Sequence, residues 1–222
     1  FFMSISEATQ LLLQAGLHAA DLLTTVSPTY AMEIQTPAYG HRLDGLLRRR
    51  RSDLFGVLNG MDYAEWNPQT DPYLVATYSD RAWKRGKARN KAAVQEAFGL
   101  AVDPNVPLYG IVSRLVDQKG FGALCGPAHG SLAWMCANFD LQFAIVGNGD
   151  AWCERELASL ARRYPNLGAH IGFNERFAHL VQAGSDFFLM PSAYEPCGLT
   201  QMYALRYGTL PIVRRTGGLA DT

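Results

Sequence analysis

The sequence has no long hydrophobic run, no excess of either charge and no paired cysteines, and each absence removes a class of protein. None of its apolar stretches approaches the roughly 18 residues that a membrane-spanning helix needs, so no membrane partner is expected. Twenty Lys and Arg balance 20 Asp and Glu over 222 residues. A neutral chain lacks the basic surface that nucleic acid or an anionic membrane selects, so no nucleic-acid partner is expected either. Cys125, Cys136, Cys153 and Cys197 form no C-x-x-C pair and have no His at zinc-ligand spacing. Free thiols in a reducing compartment are expected. The opening FFMSISEATQ lacks the charged start, apolar core and cleavage site of a leader. It also lacks an initiator Met, and the chain stops just after a Gly-Gly turn. Both ends read as cut from something longer.

What remains is an ordinary globular composition, 48% apolar, in a length that fits one large domain or two small ones. The first sixty residues read as helix, strand, helix, strand. Leu11, Leu12, Leu13, Ala15, Leu17 and Ala19 lie on a helical apolar face. Leu22 to Val26 is β-prone, and Ser27-Pro28 supplies an N-cap with Pro in the first turn. Leu54 to Leu58 is a second strand candidate, closed by Asn59-Gly60. Residues 62–87 are polar, rich in Pro, Tyr and Trp, and without a clear period, which marks them as a linker. The basic runs Arg48 to Arg51 and Trp83-Lys84-Arg85-Gly86-Lys87 read as solvated loop or helix ends. Helical pattern resumes at Ala88 to Phe98, with Gly99 as C-cap.

From Val106 short apolar runs alternate with helices. The runs are LYGIV (108–112), QFAIV (142–146), AHIGF (169–173), FFLM (187–190) and LPIV (210–213). The helical stretches between the later runs are 151–164, 175–183 and 199–207. Alternation of this kind predicts an α/β fold with a parallel, doubly wound sheet of the Rossmann type. The expected division is 1–61, the end of one Rossmann-like domain; 62–87, a linker; and 88–222, a second such domain lacking its C-terminal end.

In such a sheet ligands bind beyond the carboxyl ends of the strands. After LYGIV come Arg114 and Lys119, two cations five apart before Gly120, a pattern that suits a diphosphate but is common on surfaces. After QFAIV, Gly147-Asn148-Gly149-Asp150 is half of a G-x-G fingerprint and reads as a strand-to-helix turn, with Asp150 capping the helix. Phe173 stacks on a base or closes the core, and the sequence by itself favours the core. His179 reads as a structural helix residue and Asp186 as a turn residue. After FFLM, Glu195-Pro196-Cys197-Gly198 presents a carboxylate and then a helix N-terminus, whose free N–H groups and positive dipole end suit phosphate or hydroxyl oxygens. Glu195 is equally well a capping acid. Arg214-Arg215 before Gly217-Gly218 is either a further basic edge or a solvated turn.

The segments SRLVDQKG and IGFNERFAHLVQAGSDFFLMPSAYEPCGLTQMYALRYGTLPIVRRTGGLADT, with ADLLTTVSPTYAMEIQTPAYG and GVLNGMDYAEWNPQTD upstream, resemble the glycogen/starch synthases. The resemblance covers nearly the whole chain. Its most specific part begins at Glu195, because related glycosyltransferases carry a second Glu eight positions later, where Tyr203 stands here. The resemblance implies two facing Rossmann-like domains of the GT-B type. It implies a retaining transfer of glucose from ADP-glucose to the non-reducing end of an α-1,4-glucan. Arg114 and Lys119 then hold the donor diphosphate and stabilise its departing charge. Glu195 lies beside the transferred glucose. Backbone groups of Cys197 and Gly198 meet sugar hydroxyls, Leu199 and Thr200 meet phosphates, and Gly172 and Phe173 lie next to the base. No cofactor and no metal are expected, because cations and helix N-termini carry the leaving charge. A cytoplasmic location is implied, or the plastid stroma in a photosynthetic eukaryote.

Three departures from the family pattern stand out. Its Lys-x-Gly-Gly loop, and the His and Asp facing the glucose, would lie before Phe1, so the chain by itself is expected to be inactive. Ala193 replaces a larger, often basic residue. Phe121 to Asp140 breaks the amphipathic helix expected there. Two other classes of function compete: a non-catalytic nucleotide- or glucan-binding piece, and a glycosyltransferase using UDP-sugars, against which Tyr203 counts.

Overall fold

A computed structural model of the chain describes residues 5–126 and 130–222. In chain order its elements are α1 (Ile5–Ala19), β1 (Leu23–Val26), α2 (Pro28–Glu33), α3 (Asp44–Arg49), β2 (Leu54–Val57), α4 (Trp83–Ala97), β3 (Leu108–Val112), a 3₁₀ turn (Asp117–Lys119), α5 (Phe121–Cys125), α6 (Ser131–Asn138), β4 (Gln142–Gly147), α7 (Ala151–Arg163), β5 (Leu167–Ile171), α8 (Glu175–Gly184), β6 (Phe187–Met190), α9 (Leu199–Arg206), β7 (Leu210–Val213) and α10 (Gly217–Asp221). They group into two compact units: the residues up to Asn59 with Tyr194–Gly198 and Arg215–Thr222, and Gly60–Ala193 with Leu199–Arg214.

In the first unit β1 and β2 pair in parallel from Leu23↔Leu54 to Val26↔Val57. Leu23, Leu43 and Leu47 form its core, with Leu17, Ala20, Ile34 and Leu54 packed against them. The apolar face expected of α1 is buried only at its end. Leu11, Leu12 and Leu13 are exposed. Arg50, a half-buried member of the basic run, also holds the end of the helix. Its guanidinium donates to the Leu17 and Ala20 carbonyls, both at 2.7 Å. Those carbonyls lie at or beyond the last turn of α1, where helix acceptors lack partners and a cation is favoured. Arg50→Ala is expected to cost about 1.5–3 kcal/mol, the worth of charge-assisted bonds to backbone, leaving aside its exposed pair with Asp53. A lower urea midpoint would register it.

Ser27 is the N-cap the sequence indicated, its hydroxyl accepting from Tyr30 N at 2.9 Å. Two carboxylates then tie α2 to α10 in reciprocal fashion. Asp221 accepts from Thr29 N and Oγ1 near the start of α2. Glu33, at the end of α2, accepts from Thr216 Oγ1 and Gly217 N at the start of α10. Burial alone would raise the Asp221 pKa, but the donors of Thr29 and Ser27 outweigh it and hold the carboxyl below the usual range.

The second unit is built on a five-stranded parallel sheet in the order β5-β4-β3-β6-β7. The order reverses direction between β3 and β6, so neighbouring connections leave on opposite sides and a crevice opens at the carboxyl ends of those two strands. Burial explains why the strands read as apolar runs: every residue of β4 is buried. Phe121, Leu132, Phe143, Ile145 and Leu157 form a core layer between the sheet and α5–α7.

Three local expectations change. The strand read as AHIGF runs from Leu167 to Ile171, which leaves Gly172 and Phe173 beyond its end. The helix expected in 121–140 is two short helices, α5 and α6, both anchored in that core layer through Phe121, Leu124, Leu132 and Cys136. Of the break between them, Pro127, Ala128 and His129 lie outside the described residues. Residues 62–87 pack within the second unit. Trp66 and Leu74 rest on the cluster of Tyr78, Ala183 and Tyr207, and Asn90 of α4 binds Val75 N and Ala76 N.

Helix α4 begins at Trp83, five residues earlier than its period showed, and so absorbs the second basic run. Lys87 in that run is not solvated. Its ammonium donates to the Ala183 and Tyr207 carbonyls and to Thr209 Oγ1, at 3.1, 3.2 and 2.8 Å. Burial lowers its pKa to about 8.

All four cysteines are free, with Cys125, Cys136 and Cys153 buried and Cys197 partly exposed. Burial pushes the Cys136 and Cys153 thiols up to about 11, and Cys125 higher still. A thiol reagent at neutral pH is therefore expected to titrate Cys197 rapidly and the other three only after denaturation. Four equally fast thiols would contradict this packing.

Candidate active site

The loop leaving β3 runs across the switch point because neighbouring backbone holds it there. Ser113 N donates to Val146 O at 3.1 Å and Leu115 N to Asn148 O at 2.9 Å. Leu115 forms a parallel bridge with Gly149, so the Gly147-Asn148-Gly149 turn is a support for this loop. Farther on, Ala193 N donates to Gln118 O at 2.8 Å, which ties the segment after β6 to the same loop. Gly120 completes the fit. Its φ is +86°, and an added Cβ would run into the Pro191 carbonyl, so only glycine closes the loop here.

The result is a cavity of about 240 Å³ at the carboxyl ends of β3 and β6. Its polar lining is Ser113, Arg114, Lys119, Ser192 and Thr200. The structure thus brings together three residues singled out from sequence, Arg114, Lys119 and Thr200. Arg114 Nη2 rests on Gln118 Oε1 at 2.8 Å, an exposed bond that a stronger acceptor displaces at little cost. Thr200 sits in the first turn of α9, with its hydroxyl 3.5 Å from Met190 Sδ. Two cations, a helix N-terminal turn and small hydroxyls facing one hollow make a receptor for a polyanion.

Gly172 follows β5, its N–H donating to Gly147 O at 2.8 Å. Phe173 is 85% exposed, which corrects the core reading. A core ring would be inside; this one is left in water beside a strand end, where it is free to stack. Arg214 is exposed and is not among the walls of the cavity. Ser113 and Ser192 were not singled out in the sequence, although they lie one and two residues beyond the strand ends to which the argument pointed.

Of the remaining sequence candidates, Glu195, Cys197 and Gly198 belong to the first unit and Leu199 to the second. Glu195 is 7% exposed, and its carbonyl accepts from Gly218 N at 2.8 Å. Cys197 Sγ accepts from Asn59 Nδ2 at 3.1 Å. Gly198 has φ +81°, and an added Cβ would come within 2.7 Å of Leu219 Cδ2. The 195–198 segment is therefore laid closely over α10, which explains the glycines at its crossing. Leu199 opens α9.

Asp150 is the N-cap of α7 by position but makes no side-chain cap bond. Asp186 is more than a turn residue, accepting from Lys91 Nζ at 2.7 Å and from Leu108 N at 2.8 Å. Tyr203, singled out by the family resemblance, stacks on Trp66 with ring centres 3.9 Å apart.

A sequence profile described as the starch synthase catalytic domain matches residues 6–49. A glycogen synthase of Treponema denticola is 54% identical over 210 residues, covering 95% of this chain and 43% of that protein. The chain belongs to the glycogen/starch synthase family. Glycogen synthase 1 of Geobacter sulfurreducens is 52% identical over 212 residues, covering 95% of this chain and 41% of that one. The catalytic domain of starch synthase IV from Arabidopsis thaliana, solved bound to ADP and acarbose, superposes with a TM-score of 0.86 at 35% identity. That match covers 94% of this chain and 42% of the starch synthase. The parallel α/β fold is thus the GT-B type expected. The chain spans about two fifths of the length of these synthase-family relatives. Among the described residues no helix is long and apolar enough to cross a membrane.

Proposed function

We propose that this chain contributes the nucleotide-sugar half of a retaining glucosyltransferase that moves glucose from ADP-glucose to the non-reducing end of an α-1,4-glucan. The observation that carries it is the cavity at the β3–β6 switch point, where Arg114, Lys119 and the first turn of α9 converge. Two cations and a helix N-terminus stabilise negative charge as the glucosyl–phosphate bond breaks, and this field needs no metal or other cofactor in the transfer step. The donor lies with its diphosphate in this cavity and its base toward Gly172 and the exposed Phe173 ring. Backbone groups at Leu199 and Thr200 meet phosphate oxygens. The family resemblance assigns backbone groups of Cys197 and Gly198 to sugar hydroxyls and the Glu195 carboxylate to the transferred glucose. A cytoplasmic setting accords with the bacterial relatives and with the free cysteines.

Calorimetric titration of the chain with ADP tests the donor half. Saturable binding is expected, weakened at least tenfold by Arg114→Ala or Lys119→Ala, each of which removes a charge-assisted phosphate contact. Binding unchanged in both variants would refute the placement. In a complete synthase carrying this sequence, Glu195→Gln is expected to lower kcat about ten- to a hundredfold with little change in ADP affinity, the worth of one hydrogen bond to a charged group. Weaker ADP binding at unchanged turnover would rule out that role.

A further inference from the structure

Helix α8 carries Glu175 and His179 four residues apart, and so on one face of the helix. One ring nitrogen of His179 and one carboxylate oxygen each of Glu175 and Glu65 lie within 4.8 Å of one another. Three acids and bases gathered on a surface are common, and the proximity alone means little. The histidine makes the difference. It is 2% exposed, and its Nε2 is buried without a hydrogen-bond partner.

The tautomer follows from the other side of the ring. Nδ1 lies 2.8 Å from Asp71 Oδ2, and the same carboxylate oxygen also takes the Tyr207 hydroxyl. Asp71 therefore holds the imidazole proton on Nδ1, and Nε2 presents a lone pair. Trp66 stacks on the ring at 3.9 Å and 11°, which fixes its plane. A buried lone pair on a ring that lies beside two carboxylates is a repulsive arrangement that a cation turns into an attractive one. A carboxylate behind a histidine whose far nitrogen is a ligand is also the usual support of a protein metal site, because it fixes both tautomer and orientation.

We propose that Glu65, Glu175 and His179 bind one divalent cation of the zinc class. Imidazole with two carboxylates suits such a borderline ion better than calcium or magnesium, which take oxygen donors. Zinc bonds of about 2.0–2.2 Å put tetrahedral ligand atoms roughly 3.4 Å apart. The observed spread closes to that by rotation of two exposed glutamates. Tyr73, which shares a hydrogen bond with Glu175, would keep the second oxygen of that carboxylate oriented. None of the three ligands lines the Arg114–Lys119 cavity, so the cation stands outside the transfer step and the proposal does not depend on it. Its effect is to clip the 62–82 segment to the first turns of α8.

The test is a titration of the metal-free chain with Co²⁺ and with Zn²⁺ at neutral pH, followed by visible absorption and by the melting temperature. One equivalent of Co²⁺ is expected to bind with a weak d–d band and no thiolate charge-transfer band, and Zn²⁺ is expected to raise the melting temperature by several degrees. Glu65→Gln and Glu175→Gln, both at exposed positions that leave the fold intact, are each expected to weaken binding at least tenfold, and the double variant to abolish the melting shift. Absence of saturable binding, a thiolate band, or an undiminished shift in the double variant would overturn the assignment.

Discussion

Arg114→Ala, made in a complete synthase carrying this sequence, is expected to lower kcat by about two to three orders of magnitude, the range found when one preorganised charge-stabilising group is lost. Donor affinity should fall less. The reason lies in when the charge appears. In the bound donor the diphosphate charge is shared with the glucosyl bond; as that bond breaks, an additional negative charge collects on the leaving oxygen. A guanidinium held at the end of β3 stabilises the second state more than the first, and only that difference raises turnover. Arg114→Lys should recover a part of the loss, because a point charge replaces the planar fork. Steady-state kinetics decide the matter. A raised KM at unchanged kcat would make Arg114 a plain donor-binding group, equally useful before and during bond breaking.

The position of this arginine was legible in the sequence for a physical reason. Short apolar runs bounded by Gly, Pro, Asp or Ser locate buried parallel strands, and a doubly wound sheet places its ligand beyond their carboxyl ends. Arg114, Lys119 and Thr200 follow from that rule, and the strand order β5-β4-β3-β6-β7 puts the cavity where it directs. Ser113 and Ser192 obey the same rule but carry no charge to draw notice. The cavity's closure at Gly120 against Pro191 was not legible, since it depends on two segments about seventy residues apart meeting in space.

Misreadings occurred where burial runs against residue type. Phe173 is apolar and lies outside, while Lys87 is charged and lies largely inside, donating to two carbonyls and a hydroxyl. Arg50 likewise spends its donors on the end of α1. Sequence pattern assigns such side chains to the surface because the average lysine or arginine stays wet. Only the fold shows that backbone carbonyls without helix partners are waiting for them. Residues 62–87 carry more packing than their pattern shows, for a related reason. Their aromatic residues have no period, so they read as loop, yet Trp66 is inserted between His179 and Tyr203 with ring centres 3.9 Å away on either side. Tyr203 thereby acquires a packing role. Its ring holds the 62–82 segment against α9.

That packing converges on Asp71, and Asp71→Ala is expected to destabilise the chain by about 3 kcal/mol or more, because His179, the Tyr207 hydroxyl and Tyr73 N all lose their acceptor and each orphaned buried donor costs about 1–3 kcal/mol. Asp71 is 2% exposed and accepts from His179, from the Tyr207 hydroxyl and from Tyr73 N. Burial by itself would raise its pKa; the hydrogen bonds of His179, Tyr207 and Tyr73 outweigh burial and hold it below the usual carboxylate range. Tyr207 shifts the opposite way, raised by burial and by its bond to the Asp71 carboxylate. The two signs bracket the stability profile. The Asp71 contribution is present above its unfolded pKa of about 4 and is lost as pH falls through the lower folded value. The Tyr207 contribution is present below about 10 and is lost as pH rises toward its raised folded value. Urea midpoints measured against pH should therefore fall on both flanks. Asp71→Asn should flatten the acid flank, because the amide has no proton to gain, and should reduce the midpoint between the flanks because the charge that Tyr207 and His179 address is gone. A wild-type acid flank surviving intact in Asp71→Asn would show that another carboxylate governs acid unfolding, with Asp221 the first to examine.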